Sequence, residues 1–158
     1  VDPFAVYTEN IMLDVSYCDD GTVVAVGDKL TAVINANQRT KTNFDYQGLQ
    51  LDAYCVDASR TALSLSPYKD SASSKLVILD KTGKTTVSVN FKQNVKSVSL
   101  YGDTVAALTD GRVYFYSATT GITSGSCDAG SDAKAIALHD ESSVYILGIS
   151  EVRLANSR

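Results

Sequence analysis

The chain repeats itself four times, and this internal repeat constrains the fold more than any other feature of the sequence. The repeats begin at Ile11, Leu49, Val95 and Ala133, which are 38, 46 and 38 residues apart. The long interval contains an extra stretch, Ser66–Ser74, and removing the excess restores the period of 38. A fixed period of roughly 20–50 residues is typical of solenoids, propellers and other repeat architectures.

Short segments within each repeat have the pattern of β-strands. They are rich in Val, Ile, Thr and Tyr and are bounded by turn residues, and Thr85–Phe91 alternates most clearly. The segments Asp80–Gly83 and Ser117–Gly121 predict hairpin turns with glycine in the left-handed region. Because no window repeats its apolar residues with helical spacing, the sequence predicts an all-β fold.

Four strands in each repeat predict the blades of a β-propeller, with strands a to d running from the centre outward. A trefoil would need three units, and a sandwich needs no repeat. The fourth repeat supplies only strands a to c, at Ala133–Leu138, Val144–Ile149 and Glu151–Ala155. Residues 1–10 precede the first repeat, and we expect Pro3–Tyr7 within them to be the outer strand that closes the last blade.

This interpretation makes residues 1–158 a single propeller domain, or part of one, and leaves the ring size open. One chain could close as a four-bladed ring, two chains could share their N-terminal strands in an eight-bladed ring, or the chain could be a piece of a longer protein. The inner strands carry small or medium residues at Val15, Ala53, Ser99 and Ala137, which suits a wider ring. We favour the homodimer, because two-fold symmetry is the commonest closed symmetry.

Composition and charge argue against several classes of partner. The 158 residues carry a net charge of −4, and their 14 basic residues form no cluster, so we expect no nucleic-acid partner. No apolar stretch is long enough to cross a membrane as a helix, and no signal peptide is seen. Three cysteines, Cys18, Cys55 and Cys127, and a single histidine do not predict a metal site. We expect the thiols to be small buried side chains on strands.

The segments Lys75–Lys84 and Val113–Gly121 resemble the strand-c-and-turn segment of PQQ-like and WD40-like propellers. This resemblance covers all four repeats and implies a fold rather than a site. The chain contains no Trp, and therefore neither the Trp-Asp signature of WD40 blades nor the tryptophan motif of quinoproteins, so no cofactor is expected. The general pattern of its repeats is also similar to a family of bacterial, membrane-anchored propellers of unknown function. This resemblance implies an extracytoplasmic location.

The turns on one rim of the propeller offer the best candidates for a partner-binding surface. Loops on a rigid scaffold are where binding residues concentrate, and the insertion near Tyr68 breaks the symmetry of the repeats. The residue before each repeat is Asn10, Gly48, Asn94 or Asp132, residue types that tolerate left-handed backbone, which predicts a recurrent tight turn on this rim. The candidate contact residues are Tyr46, Gln47, Tyr68, Gln93 and Asn94.

A second set of candidates lies on the inner strands. Asp14 and Asp52 occupy the same position of two repeats, which predicts a pair of carboxylates at the central channel that could bind a cation or act as acid and base. His139 ends the inner strand of the fourth repeat, but no nucleophile motif accompanies it.

The sequence therefore favours a non-enzymatic scaffold that binds an unknown protein partner. The alternative is an enzyme, or a binder of a saccharide or peptide, that uses Asp14 and Asp52.

Overall fold

In a computed structural model, which describes residues 1–158, the chain forms fifteen β-strands and no helix. No segment therefore qualifies as a membrane-spanning helix. The strands are β1 (Met12–Tyr17), β2 (Thr22–Gly27), β3 (Leu30–Asn35), β4 (Thr40–Asp45), β5 (Gln50–Val56), β6 (Arg60–Ser66), β7 (Ser74–Asp80), β8 (Thr85–Phe91), β9 (Ser97–Tyr101), β10 (Thr104–Leu108), β11 (Gly111–Ser117), β12 (Thr123–Gly130), β13 (Ala135–Leu138), β14 (Ser143–Leu147) and β15 (Val152–Asn156).

Each repeat of the sequence folds into one antiparallel sheet whose strands pair in chain order. Strands β1–β4, β5–β8 and β9–β12 form three four-stranded sheets, and β13–β15 form a three-stranded sheet. We call these sheets the first to fourth blades. The prediction of an all-β propeller with four repeating blades is confirmed, including the absence of a fourth strand from the last blade.

The hydrophobic core lies between the blades rather than inside any one of them. Alternate residues of a strand point to opposite faces of its sheet, so each central blade packs on two neighbours. In the second blade, Leu63 packs toward the first blade and Ala62 toward the third. Between the third and fourth blades, Phe115 packs with Val144 and Ile146. A blade therefore buries both faces only when it has a neighbour on each side.

The N-terminal segment does not pair with the fourth blade of the same chain. Residues 1–10 contain no strand, and β15 pairs only with β14. Instead, the Tyr7 hydroxyl donates a hydrogen bond of 2.9 Å to Oδ1 of Asn43 on the first blade. The strands of the first and fourth blades make no extensive contact with each other. The four blades therefore form an open arc, and the expected closing strand is not formed within the chain.

The turns confirm part of the glycine pattern. Gly83 and Gly121 end their hairpin turns with φ angles of 88° and 74°, as predicted. Of the four residues that precede the repeats, only Gly48 is left-handed, with φ of 84°. The other three do not use the left-handed region, although turns lie at residues 8–9, 47–48 and 131–132.

Gly83 and Gly48 provide a matched test of this turn geometry. Both have positive φ, but a Cβ on Gly83 would lie 2.9 Å from the side chain of Thr42, whereas a Cβ on Gly48 would meet nothing within 4 Å. We expect Gly48→Ala to lower the free energy of unfolding by about 1–2 kcal/mol through backbone strain alone. Gly83→Ala should cost more because it adds a steric clash. Equal losses in urea titrations would contradict the close packing of this turn on the first blade.

Candidate functional site

A groove on one rim of the propeller is formed by two connections that the sequence places far apart. One is the insertion of the second blade, residues 67–73, and the other is residues 92–96, which join the second blade to the third. Together with the turn after β10 they line an open groove with a volume of about 500 Å³. We call it the rim groove. Its polar lining includes Asp70, Ser71, Lys92, Gln93, Asn94 and Asp110.

Buried serines hold one wall of the rim groove in place. Ser74 accepts a hydrogen bond of 2.9 Å from the backbone N–H of Val95, and the Ser64 hydroxyl donates one of 3.4 Å to the Val95 carbonyl. Both serines and Val95 are buried. Because buried polar groups that lose their partners are costly, these bonds fix the connection that carries Gln93 and Asn94.

The insertion itself is a folded turn. Ser66 donates a hydrogen bond of 3.0 Å from its hydroxyl to the carbonyl of Tyr68, and the N–H of Ser71 donates to the same carbonyl at 3.1 Å. Asp70 adopts the left-handed region with φ of 58°, which aspartate tolerates better than most residues. The insertion therefore presents a defined wall to the groove.

Charges of both signs surround the groove. Nζ of Lys96 lies 2.5 Å from Oδ1 of Asp110, and this ion pair bridges the connection and the turn after β10. Lys92 and Asp70 add one further charge of each sign to the lining. With the amides of Gln93 and Asn94, this surface offers both donors and acceptors of hydrogen bonds.

The structure brings together only part of the contact set that the sequence predicted. Gln93 and Asn94 line the rim groove, while Tyr68 lies on the same insertion with 64% of its surface exposed. Gln47 is exposed but belongs to the connection between the first two blades, where its N–H donates to Oδ1 of Asp45 at 2.6 Å. It is not part of the groove.

Tyr46 is a core residue, so its prediction as a contact residue is wrong. Only 1% of its surface is exposed. Its hydroxyl donates a hydrogen bond of 2.9 Å to the carbonyl of Gly27 and lies 2.7 Å from the hydroxyl of Thr31. Burial raises the pKa of Tyr46 to about 12. The sequence contained a signal for this burial. Tyr46 follows Phe44 by two residues, and residues two apart lie on the same face of an extended chain.

The inner-strand carboxylates do not form a symmetric pair. Both inner strands have a bulge: in β1 it falls at Leu13, so Asp14 lies opposite Val26, whereas in β5 it falls one repeat position later, at Asp52 itself. Their positions therefore differ by one residue, although the 38-residue period aligned them. A bulge shifts the register of a strand without an obvious sequence signal.

Each carboxylate has its own hydrogen-bond partner. Oδ2 of Asp14 accepts a bond of 3.2 Å from the Tyr54 hydroxyl, and Oδ1 of Asp52 accepts one of 3.0 Å from the Gln50 amide. The other Asp52 oxygen is buried without a partner in the chain. Asp52 also lines a cavity of about 350 Å³ next to Lys96.

The remaining candidates lie apart from both cavities. His139 is exposed and stacks edge-on against Tyr145, with ring centroids 5.3 Å apart. The three cysteines form no disulfide, and Cys18 and Cys127 are buried while Cys55 is half-buried. Burial raises the pKa of each thiol. High thiol pKa values oppose formation of the reactive thiolate.

Comparisons with known proteins agree with the fold. The family of unknown function DUF5711 matches residues 1–153. No protein of curated function shows significant sequence similarity to the chain.

Three solved structures illustrate the likeness. The β-propeller domain of Cps50 (Swd1) from Myceliophteria thermophila is 11% identical, with a TM-score of 0.70 over 95% of this chain and 52% of that one. BamB from Moraxella catarrhalis is 15% identical, with a TM-score of 0.69 over 96% and 48%. BBS1N, solved in complex with ARL6DN, is 14% identical, with a TM-score of 0.66 over 97% and 54%.

At these identities the likeness establishes the propeller fold alone. The chain spans about half the length of the solved propellers that it matches.

Proposed function

This chain belongs to the DUF5711 family of unknown function. We propose that it is a non-enzymatic propeller scaffold that binds a protein partner through the rim groove. The observation that carries the proposal is the groove itself. It is formed by the one insertion that breaks the symmetry of the blades, and it brings that insertion against Gln93 and Asn94.

The groove suits protein recognition for two physical reasons. Its walls are held by buried hydrogen bonds from Ser64 and Ser74, so little conformational entropy is lost when a partner binds. Its lining combines both charges with two amides, a composition typical of the polar rim of protein interfaces. Propellers related in fold, such as BBS1N in complex with ARL6DN, support the role of a scaffold.

A small-ligand site at the inner strands is the second candidate. The buried Asp52 oxygen without a partner would be satisfied by a hydroxyl or amide from a saccharide or peptide. The adjacent cavity of about 350 Å³ offers the necessary space. Asp14 lies on the neighbouring inner strand and accepts its bond from Tyr54, which also lines this cavity.

We further propose that the domain is extracytoplasmic and comes from a bacterial, membrane-anchored protein, on the resemblance of its repeats to such propellers. We also propose that its four blades are half of an eight-bladed ring. The chain covers 52% and 48% of two solved propellers, so each of those chains is about twice as long.

Site-specific photo-cross-linking in cells of the source organism tests the rim groove. A benzophenone amino acid at Gln93 should give a discrete protein adduct, because this exposed residue lines the groove. The same amino acid at Thr120, an exposed residue in the turn between β11 and β12, is the matched control. Adducts should fall at least several-fold when Asn94→Ala and Asp70→Ala are added.

Identical adduct patterns from Gln93 and Thr120, or no adduct from either, would overturn the proposal. Binding of a saccharide or peptide can be measured by calorimetry. Binding that is lost in Asp52→Asn but retained in Asn94→Ala would favour the inner-strand site instead.

A further inference from the structure

The boundary between the third and fourth blades is closed by serine hydroxyls. Ser97 of β9 accepts a hydrogen bond of 3.1 Å from the N–H of Ile136, and Ser99 accepts one of 2.9 Å from the N–H of Leu138. These two N–H groups are free to point at the neighbouring blade, because alternate residues of an antiparallel strand bond to their own partner strand. Side chains of one inner strand thus satisfy the backbone of the next.

The boundary between the second and third blades has only one such acceptor. The groups equivalent to those of β13, one period of 38 residues earlier, are the N–H groups of Val98 and Leu100. On the second blade, Ala53 and Cys55 pack against these residues. Burial raises the pKa of the Cys55 thiol, and a hydrogen bond from the Leu100 backbone opposes that rise. Cys55 therefore serves Leu100, whereas Ala53 has no polar side-chain atom to offer Val98.

The missing acceptor opens onto a cavity that holds a second group without a partner. Ala53 and Val98 both line the cavity of about 350 Å³ beside Asp52, which we call the inner-strand cavity. Oδ1 of Asp52 accepts the bond from Gln50, but its Oδ2 is buried and has no hydrogen-bond partner in the chain. Buried polar groups are normally hydrogen-bonded. The cavity therefore presents one donor and one acceptor that no side chain of the protein satisfies.

The other walls of the inner-strand cavity are largely apolar. Leu13, Leu51 and Tyr54 line it, and the Tyr54 hydroxyl is already bonded to Asp14. Ligand sites commonly combine apolar walls with a few placed polar groups in a volume of roughly 300–1,000 Å³. A pyranose ring carries hydroxyl groups around its edge and C–H groups on its faces, so it matches both kinds of wall.

We infer that the inner-strand cavity binds a saccharide, whose hydroxyl groups accept from the N–H of Val98 and donate to Oδ2 of Asp52. A hydroxyl both donates and accepts, and serine hydroxyls already play this part at the next boundary. An extended peptide would need successive outward groups of β9, but Leu100 is held by Cys55. This assignment rests on the inner-strand candidate proposed above and names its ligand, and it does not depend on the rim groove.

Nuclear magnetic resonance of the ¹⁵N-labelled chain tests the inference directly. The probes are glucose, galactose and N-acetylglucosamine, each titrated at millimolar concentrations. The amide resonance of Val98 should shift downfield and saturate with at least one of them, because a new hydrogen bond to its N–H deshields the proton. The amide of Leu100 should move less, since its partner is already in place.

Ala53→Ser supplies the missing hydroxyl from the chain itself. It should shift the Val98 amide without any sugar, raise the urea midpoint of unfolding, and weaken sugar binding at least tenfold. Asp52→Asn should weaken binding several-fold, because the buried acceptor for a sugar hydroxyl is lost. Ala58→Ser is the matched control, since Ala58 is exposed in the turn between β5 and β6 of the same blade. It should leave both stability and binding unchanged, and the spectra show whether each variant is folded.

Three results would overturn the inference. If no sugar moves the Val98 amide, the buried groups are served by water alone. If sugar-dependent shifts persist in Ala53→Ser, the sugar binds elsewhere. If trialanine moves Val98 and the sugars do not, the inner-strand site takes peptides rather than saccharides. None of these results affects the cross-linking at the rim groove, so failure of the saccharide site and failure of the scaffold remain distinguishable.

Discussion

Phe115→Ala is expected to lower the free energy of unfolding by about 3–5 kcal/mol, the usual cost of deleting a buried phenylalanine. Phe115 is fully buried between the third and fourth blades, in the cluster that contains Leu108, Val144 and Ile146. The loss combines the transfer of the ring from the core with the cavity that remains. Since domains are stable by about 5–15 kcal/mol, much of the total stability should disappear.

Urea titration followed by circular dichroism measures this effect. The midpoint should fall while the slope stays constant, because a change in midpoint alone reports stability. Phe115→Leu should cost less, since it leaves a smaller cavity. Tyr68→Ala, at an exposed aromatic of the insertion, should change stability by about 0.5 kcal/mol or less. A loss below about 1 kcal/mol for Phe115→Ala would contradict tight packing between the last two blades.

Tyr46→Phe is expected to lower the free energy of unfolding by about 1–3 kcal/mol near neutral pH, because it leaves buried polar groups without a hydrogen-bond partner. The lost hydroxyl lies 2.7 Å from that of Thr31 and donates to the carbonyl of Gly27. Thr31 and Gly27 are both buried, so water cannot readily replace the missing group. Tyr101→Phe is the control, since Tyr101 is 48% exposed.

The same residue gives stability a defined pH dependence. The pKa of Tyr46 is raised from 10.0 to about 12 in the fold, so above pH 10 the unfolded chain binds fewer protons than the folded one. The neutral phenol of Tyr46 therefore contributes roughly 3 kcal/mol to the free energy of unfolding. This contribution is fully present below pH 10 and is lost as the pH rises toward 12. The difference in stability between wild type and Tyr46→Phe should therefore narrow over this range. A constant difference would contradict the buried, neutral phenol.

Local patterns were sufficient to predict repeated β-strands and the hairpin turns at Gly83 and Gly121, whereas the strand expected at Pro3–Tyr7 is not formed. Gly83 and Gly121 could be placed because a tight turn with positive φ strongly favours glycine. The one-residue offset between the bulges at Leu13 and Asp52 could not be foreseen, because nothing in the residues around them marks the irregularity. The apparent equivalence of Asp14 and Asp52 was lost for that reason.

The candidate site was predicted only in part. Gln93, Asn94 and the insertion were identified from turn composition and broken symmetry, and the fold places them around one groove. Tyr46 was predicted at the surface but lies in the core. Tyrosine suits both places, because its hydroxyl can bond to water at a surface or to a buried partner in a core. Only the position of Thr31 and Gly27 decides between them.

By itself, the sequence determined the number of blades, their strand order and the strand missing from the last one. These features follow from short-range periodicity, in which alternation and turn residues act within a few positions along the chain. The tertiary structure alone decided that Tyr46 is core, that the insertion meets residues 92–96, and that the first and last blades expose apolar faces. Those features depend on which faces the curvature of the blades brings together, and contacts between distant segments leave no periodic signal in the sequence.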